Sequence, residues 1–115
     1  AITNYGDVPI DVYRRYRVCS YPDSIAYTVT MLPGVYDVKL HLCAHYDANN
    51  YTVDIKFGST YVASGYDIKA MAGGALKAKI FTASHTFAGA PLVITMTPNG
   101  AGRFGVMCGL ELREK

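Results

Sequence analysis

Polar and apolar residues alternate along most of this chain. In 36–42, Tyr36, Val38, Leu40 and Leu42 share one face, and Asp37, Lys39 and His41 share the other. In 52–57, Val53, Ile55 and Phe57 oppose Thr52, Asp54 and Lys56. In 92–97, Leu92, Ile94 and Met96 oppose Val93, Thr95 and Thr97, and in 104–112 Phe104, Val106, Cys108, Leu110 and Leu112 fall together. A period of two is the signature of a half-buried strand. Turn-forming stretches separate the runs: 21–24, 32–34, 47–50, 57–59 and 98–100. The pattern predicts about eight strands, at 8–18, 24–31, 35–44, 51–57, 60–64, 77–83, 91–97 and 104–113. Two facing antiparallel sheets bury such stripes, so the expected fold is all-β, an antiparallel β-sandwich. Val38, Leu40, Val53, Ile55, Ile94, Val106 and Leu110 are expected to face inward. The stretch 67–75, with Gly73-Gly74, breaks the alternation and reads as an irregular connection with one helical turn.

The chain has 115 residues, half of them apolar, which suits one domain with one core. Its formal net charge is +2 with 17% charged residues. That balance supplies no basic stripe for nucleic acid, and the run Arg14-Arg15-Tyr16-Arg17 reads as the solvated face of a strand. No apolar run approaches the roughly 18 residues of a membrane span, and no signal peptide is visible. Cys19, Cys43 and Cys108 make an odd count, so at least one thiol is expected free. Cys43 and Cys108 lie in apolar strands, where a thiol packs as a small hydrophobe. Their wide spacing excludes the paired knuckles of a structural zinc site.

Several short motifs invite sharper readings. Gly100-x-Gly102-x-x-Gly105 has the letters of a dinucleotide fingerprint. That motif needs a strand before it and a helix after it, whereas here a strand follows. Asp47-x-Asn49 resembles the start of a calcium loop, but its sixth position is Thr52 and its twelfth Gly58, which excludes an EF-hand. A structural Ca2+ held by other carbonyl groups stays open; no other cofactor is expected. His41 and His45 are spaced too widely along an extended strand to chelate, and are expected at the surface. His85 directly follows Ser84, which is not the geometry of a triad. No carboxylate pair stands out as acid and base, so the chain is not expected to be an enzyme. Asn50-Tyr51-Thr52 is an N-glycosylation sequon.

Ten tyrosines and no tryptophan remain to be explained. Tyrosine offers a flat apolar face and a hydroxyl, which suits the C–H face and polar edge of a sugar. It is also simply a good strand residue. Tyr27 and Tyr36, inside strands, are expected to pack. Tyr5, Tyr46 and Tyr66, beside turns, are the candidates for contact.

Five motifs occur in the order found in malectin-like domains. Tyr13-Arg14-Arg15-Tyr16-Arg17 resembles a Tyr-x-x-x-Arg element. The stretch from Tyr36 to His41 resembles a Tyr-x-Val-x-Leu-His strand, and Tyr46-Asp47 stands where the family has an aromatic pair. The stretch from Thr52 to Gly58 resembles the next strand. Tyr66-Asp67-Ile68 before Gly73-Gly74 resembles a Phe-Asp-Ile element, and the stretch from Val106 to Leu110 resembles the final strand. Upstream, Asn4-Tyr5-Gly6 resembles an Asp-Tyr-Gly loop. Over roughly residues 4–112 the chain therefore resembles the malectin domain, a lectin module of the galactose-binding-like, jelly-roll class. It departs from the family at Ala44, Asp47 and Arg103, which stand where a Glu, an aromatic and an acidic residue are usual, and in lacking the family's opening strand.

The resemblance implies a single malectin-like domain over 1–115, cut from a larger exported protein, and a non-catalytic carbohydrate-binding role. Its partners would be an oligo- or polysaccharide and, in the parent protein, a catalytic domain such as a glycoside hydrolase. The implied location is extracellular or secreted. Tyr5, Tyr16 and Tyr46 would stack on sugar faces, while Asp47 and Arg103 would bind hydroxyls. The three departures imply a sugar other than malectin's diglucose. The alternative is a structural or protein-interaction domain on the same fold. The two readings differ in whether the loop tyrosines converge on one concave patch or scatter.

Overall fold

The computed structural model describes residues 16–46 and 49–115. Among them are nine strands: β1 (Arg17–Ser20), β2 (Ile25–Val29), β3 (Gly34–Cys43), β4 (Thr52–Phe57), β5 (Thr60–Asp67), β6 (Ala78–Phe87), β7 (Leu92–Pro98), β8 (Phe104–Met107) and β9 (Gly109–Glu114). One five-residue helix, α1 (Ile68–Ala72), follows β5. The strands form antiparallel sheets of order β2-β7-β4-β5, β6-β3-β9 and β1-β8. This is the expected all-β sandwich.

The core lies between the four-stranded and three-stranded sheets. Val38, Leu40, Val53, Ile55, Ile94 and Val106 are all fully buried, as expected, and Leu110 is half-buried against the same cluster. The alternation that predicted these strands is the alternation that fills the core, since each inward side chain leaves water for apolar neighbours. The helical turn expected in 67–75 is α1. Its N-terminus is capped by the Asp67 carboxylate, which accepts from the Ala70 N–H at 3.1 Å. It ends at Gly73, where φ is +87°, a left-handed conformation that glycine adopts without a steric penalty.

Five expectations need correction. The stretch 104–113 is two strands, not one. At Cys108 the chain passes from the β1-β8 pair to the edge of β3; the Cys108 N–H donates to the His41 carbonyl at 2.8 Å, and Gly109 takes up the pairing. Gly105 and Met107, off the face expected to be apolar, are buried too, because β8 is covered on both faces. β5 runs on to Asp67 because Gly65, at φ +64°, bulges the strand and donates its N–H to the Asp54 carboxylate at 2.9 Å. β6 runs on to Phe87 through Ser84 and His85, and His85 turns inward edge-on to Phe87, centroids 4.7 Å apart. His41 is not at the surface: it is 4% exposed, and its Nε2 lies 3.3 Å from Glu111 Oε1. Gly109 stands opposite it in β9, so no side chain blocks the ring from reaching Glu111. Of the strand expected at 8–18, only its last residues lie among the described residues, and the strand there continues to Ser20.

None of the three cysteines forms a disulfide. Burial pushes the Cys43 thiol up to about 11 and the Cys108 thiol up to about 12, so both stay protonated and inert at neutral pH.

Candidate functional site

Where β1, the start of β8 and the connection from β3 to β4 meet, the surface opens into a cleft of about 730 Å³. Three backbone hydrogen bonds draw its walls together. The Phe104 N–H donates to the Asn50 carbonyl at 2.8 Å, the Tyr21 N–H to the Arg103 carbonyl at 3.1 Å, and the Asn49 N–H to the Tyr46 carbonyl at 3.1 Å. The turn after β1 is closed by the Asp23 N–H on the Ser20 carbonyl at 2.8 Å.

Two of the tyrosines expected at the site come together here. Tyr16 is 37% exposed and Tyr46 58% exposed, and both line the cleft. Their hydroxyl oxygens are 3.5 Å apart, long for a hydrogen bond, so each hydroxyl keeps capacity for a ligand. The contact with Tyr46, helped by partial burial, holds the Tyr16 hydroxyl above the ordinary tyrosine range. Behind Tyr16 lies His45, its ring stacked at a centroid distance of 3.9 Å and an angle of 21°. The stack holds the Tyr16 ring in place, which lowers the entropy lost when a ligand stacks on its other side. His45 is thus a half-buried supporting residue and not the exposed one expected.

Two other residues expected to make contact, Arg103 and Tyr66, fall elsewhere. Arg103 is not among the residues that line the cleft. Its Nη1 donates to the Asn99 carbonyl at 2.6 Å and to Asn99 Oδ1 at 3.2 Å, which ties down the loop between β7 and β8. Asn99 in turn donates to Asp54 Oδ1 at 2.6 Å. Tyr5 and Asp47 lie outside the described residues. Tyr66, expected to make contact, instead packs edge-on against Phe81 at 5.3 Å.

Residues that the sequence reading missed complete the cleft. Tyr51 is 1% exposed and forms part of the wall, 6.2 Å from the Phe104 ring. Asp23, Ser20, Ser24 and Asn49 supply polar atoms at the rim. The one legible signal was the Tyr21-Pro22-Asp23-Ser24 turn, which marked a break in the strand but not what it faced. Asp23 is the single carboxylate among the described lining residues. A glycosidase needs two, flanking the bond to be cut. Among the described residues no three His, Cys, Asp or Glu side chains gather into a metal site. Gly100 to Gly105 joins two strands, so the dinucleotide fingerprint lacks its helix.

No family model matches the sequence, and no curated protein matches it closely enough to count as a relative. Solved structures do match its fold. The ANX1 ectodomain from Arabidopsis thaliana superposes with a TM-score of 0.80 at 15% identity, over 97% of this chain and 35% of that one. The ANXUR2 extracellular domain from the same plant gives 0.76 at 18% identity, over 97% of this chain and 36% of that one. Bacteroides uniformis beta-glucuronidase 2 gives 0.75 at 18% identity, over 99% of this chain but 12% of the enzyme. The receptor ectodomains carry malectin-like domains, so the expected resemblance holds at the level of the fold. The chain spans about a third of their length, and they are extracellular domains, in keeping with the location that the resemblance implied.

Proposed function

We propose that this domain is a non-catalytic, extracellular carbohydrate-binding module whose ligand lies in the cleft against Tyr16 and Tyr46. The observation that carries the reading is the convergence of these two exposed rings, 30 residues apart in sequence, on one concave patch, with His45 bracing the first. Aromatic faces take the apolar side of a sugar ring, and the hydroxyls of Ser20 and Ser24 with the Asp23 carboxylate suit its polar edge. Tyr5 and Asp47 belong to the same proposed site by resemblance. Arg103 acts in this reading through the loop it holds. The parent protein would supply any catalytic domain.

A second reading has one specific support. A structure of the plant peptide RALF23 in complex with FER and LLG2 matches this chain with a TM-score of 0.69 at 18% identity, over 85% of this chain and 27% of that one. An open cleft lined by aromatic and polar residues also suits a peptide. A glycan array probed with the domain, followed by titration calorimetry with the best glycan, separates the two. Glycan binding that is lost in Tyr46→Ala supports the sugar site. No glycan binding by the unaltered chain favours the peptide or protein partner.

A further inference from the structure

Asn50-Tyr51-Thr52 is the single Asn-x-Ser/Thr sequence in the chain, and the Asn50 and Thr52 side chains are not among those that line the cleft. We propose that Asn50 is an acceptor for an N-linked oligosaccharide, and that the sugar leaves from the outer face of the four-stranded sheet, away from the cleft. The inference rests on the extracellular placement in the proposed function. It does not depend on what the cleft binds.

The local geometry fits the chemistry. Asn50 is exposed at the entry to β4. Its Oδ1 accepts from the Thr52 N–H at 3.0 Å and from the Thr52 hydroxyl at 2.6 Å. The hydroxyl that the motif demands is therefore already on the amide it serves. The Asn50 Nδ2 makes no hydrogen bond among the described residues, so the atom that takes the sugar is not committed elsewhere. Strand alternation sets the direction: Tyr51 and Val53 are buried, while Asn50, Thr52 and Asp54 share the opposite face. Tyr51 thus forms the cleft wall while its neighbour points the other way. Among the described residues there is room there. Asn50 bridges to Arg103, and in the adjoining loop the Cβ positions of Gly100 and Gly102 meet nothing within 4 Å.

In the transfer, Asn50 Nδ2 attacks C1 of a lipid pyrophosphate-linked oligosaccharide. The Nδ2–C1 bond forms and the C1–O bond to the pyrophosphate breaks. The lipid pyrophosphate leaves with the electron pair, and one amide proton is lost to the base of the transferase.

The test expresses the full chain behind a secretory leader in eukaryotic cells and weighs the total product, retained and secreted. The expected result is the mass of one N-glycan, released by peptide N-glycosidase with conversion of the asparagine at position 50 to aspartate. Asn50→Gln and Thr52→Val should carry none, and Thr52→Ser should keep it. An unmodified wild-type chain in both pools overturns the proposal. The direction of the glycan is read separately, by nitrating Tyr46 with tetranitromethane. Equal rates in the glycosylated chain and in Asn50→Gln are expected. A rate at least several-fold slower in the glycosylated chain would place the glycan over the cleft and overturn the outer-face assignment. Neither readout needs a cleft ligand, so failure of the sugar-site reading leaves both intact.

Discussion

Two places in this domain pair a tyrosine with a histidine, and they use the pair in opposite ways. In the core, Tyr36 meets Phe87 edge-on at 5.3 Å, and His85 lies edge-on to both Phe87 and Phe57. The Tyr36 hydroxyl has its proton committed there, donating to the Leu32 carbonyl at 2.9 Å. At the cleft, Tyr16 lies flat on His45, one face open and its hydroxyl only loosely engaged. Ring type does not separate a packing tyrosine from a binding one. What separates them is whether the ring keeps a free face and the hydroxyl a free bond.

Substitutions should break that contrast in a graded way. The largest effect is expected from Phe87→Ala, which removes the ring at the centre of the core group. Phe87 is 2% exposed, and such a deletion costs about 3–5 kcal/mol. Chemical denaturation should show the midpoint falling sharply; an unchanged midpoint would mean that the aromatic group is not part of the cooperative core.

Next comes Tyr46→Ala. It should weaken binding of the glycan found on the array by about 1–3 kcal/mol, as loss of an anchor does, with little change in stability because the ring is 58% exposed. Equal affinities by calorimetry would remove Tyr46 from the site.

Tyr36→Phe is the complementary change. It deletes only the hydroxyl and leaves the Leu32 carbonyl without its partner, at a cost of about 1 kcal/mol in stability. Ligand affinity should not move. If it does, core and cleft are coupled, and the contrast drawn above fails.

Smaller still is the effect on Tyr16 ionisation. In Tyr46→Phe the Tyr16 hydroxyl loses the contact that does most to raise it, so its ultraviolet titration should shift to lower pH. No shift would mean that the two hydroxyls do not meet in solution.

The smallest effect concerns the loop that carries Arg103. Burial of Asp54 opposes its ionised form, but hydrogen bonds from Gly65, Asn99 and Ser64 outweigh that and hold its carboxyl below the usual range. A depressed folded-state value contributes stability above the ordinary carboxylate pKa, and this is lost as pH falls through the depressed value. Asp54→Asn should therefore flatten the acid limb of the stability curve slightly; an acid limb as steep as the wild type's would show that these bonds do not favour the ionised form.

The sequence by itself determined the period-two stripes, and with them the sandwich, the buried faces of β3, β4 and β7, and the helical turn after Asp67. These depend on near neighbours along the chain, where alternation and turn residues act directly. The tertiary structure alone decided which aromatic residues stay open. Tyr66 and Tyr46 both follow or end a strand, yet one packs on Phe81 and the other stands at the cleft. His41 looked like a surface residue until Gly109, far along the chain, was placed opposite it. The break at Cys108 left no mark in an unbroken apolar stripe, because Phe104 and Val106 before it and Leu110 and Leu112 after it all pack on the core, the first half paired to β1 and the second to β3. The cleft itself depends on β1 pairing with β8, which brings Tyr16 and Phe104 to one surface. Pairing across so long a stretch of chain is settled by the fit of whole sheets around a core, and no local pattern encodes it.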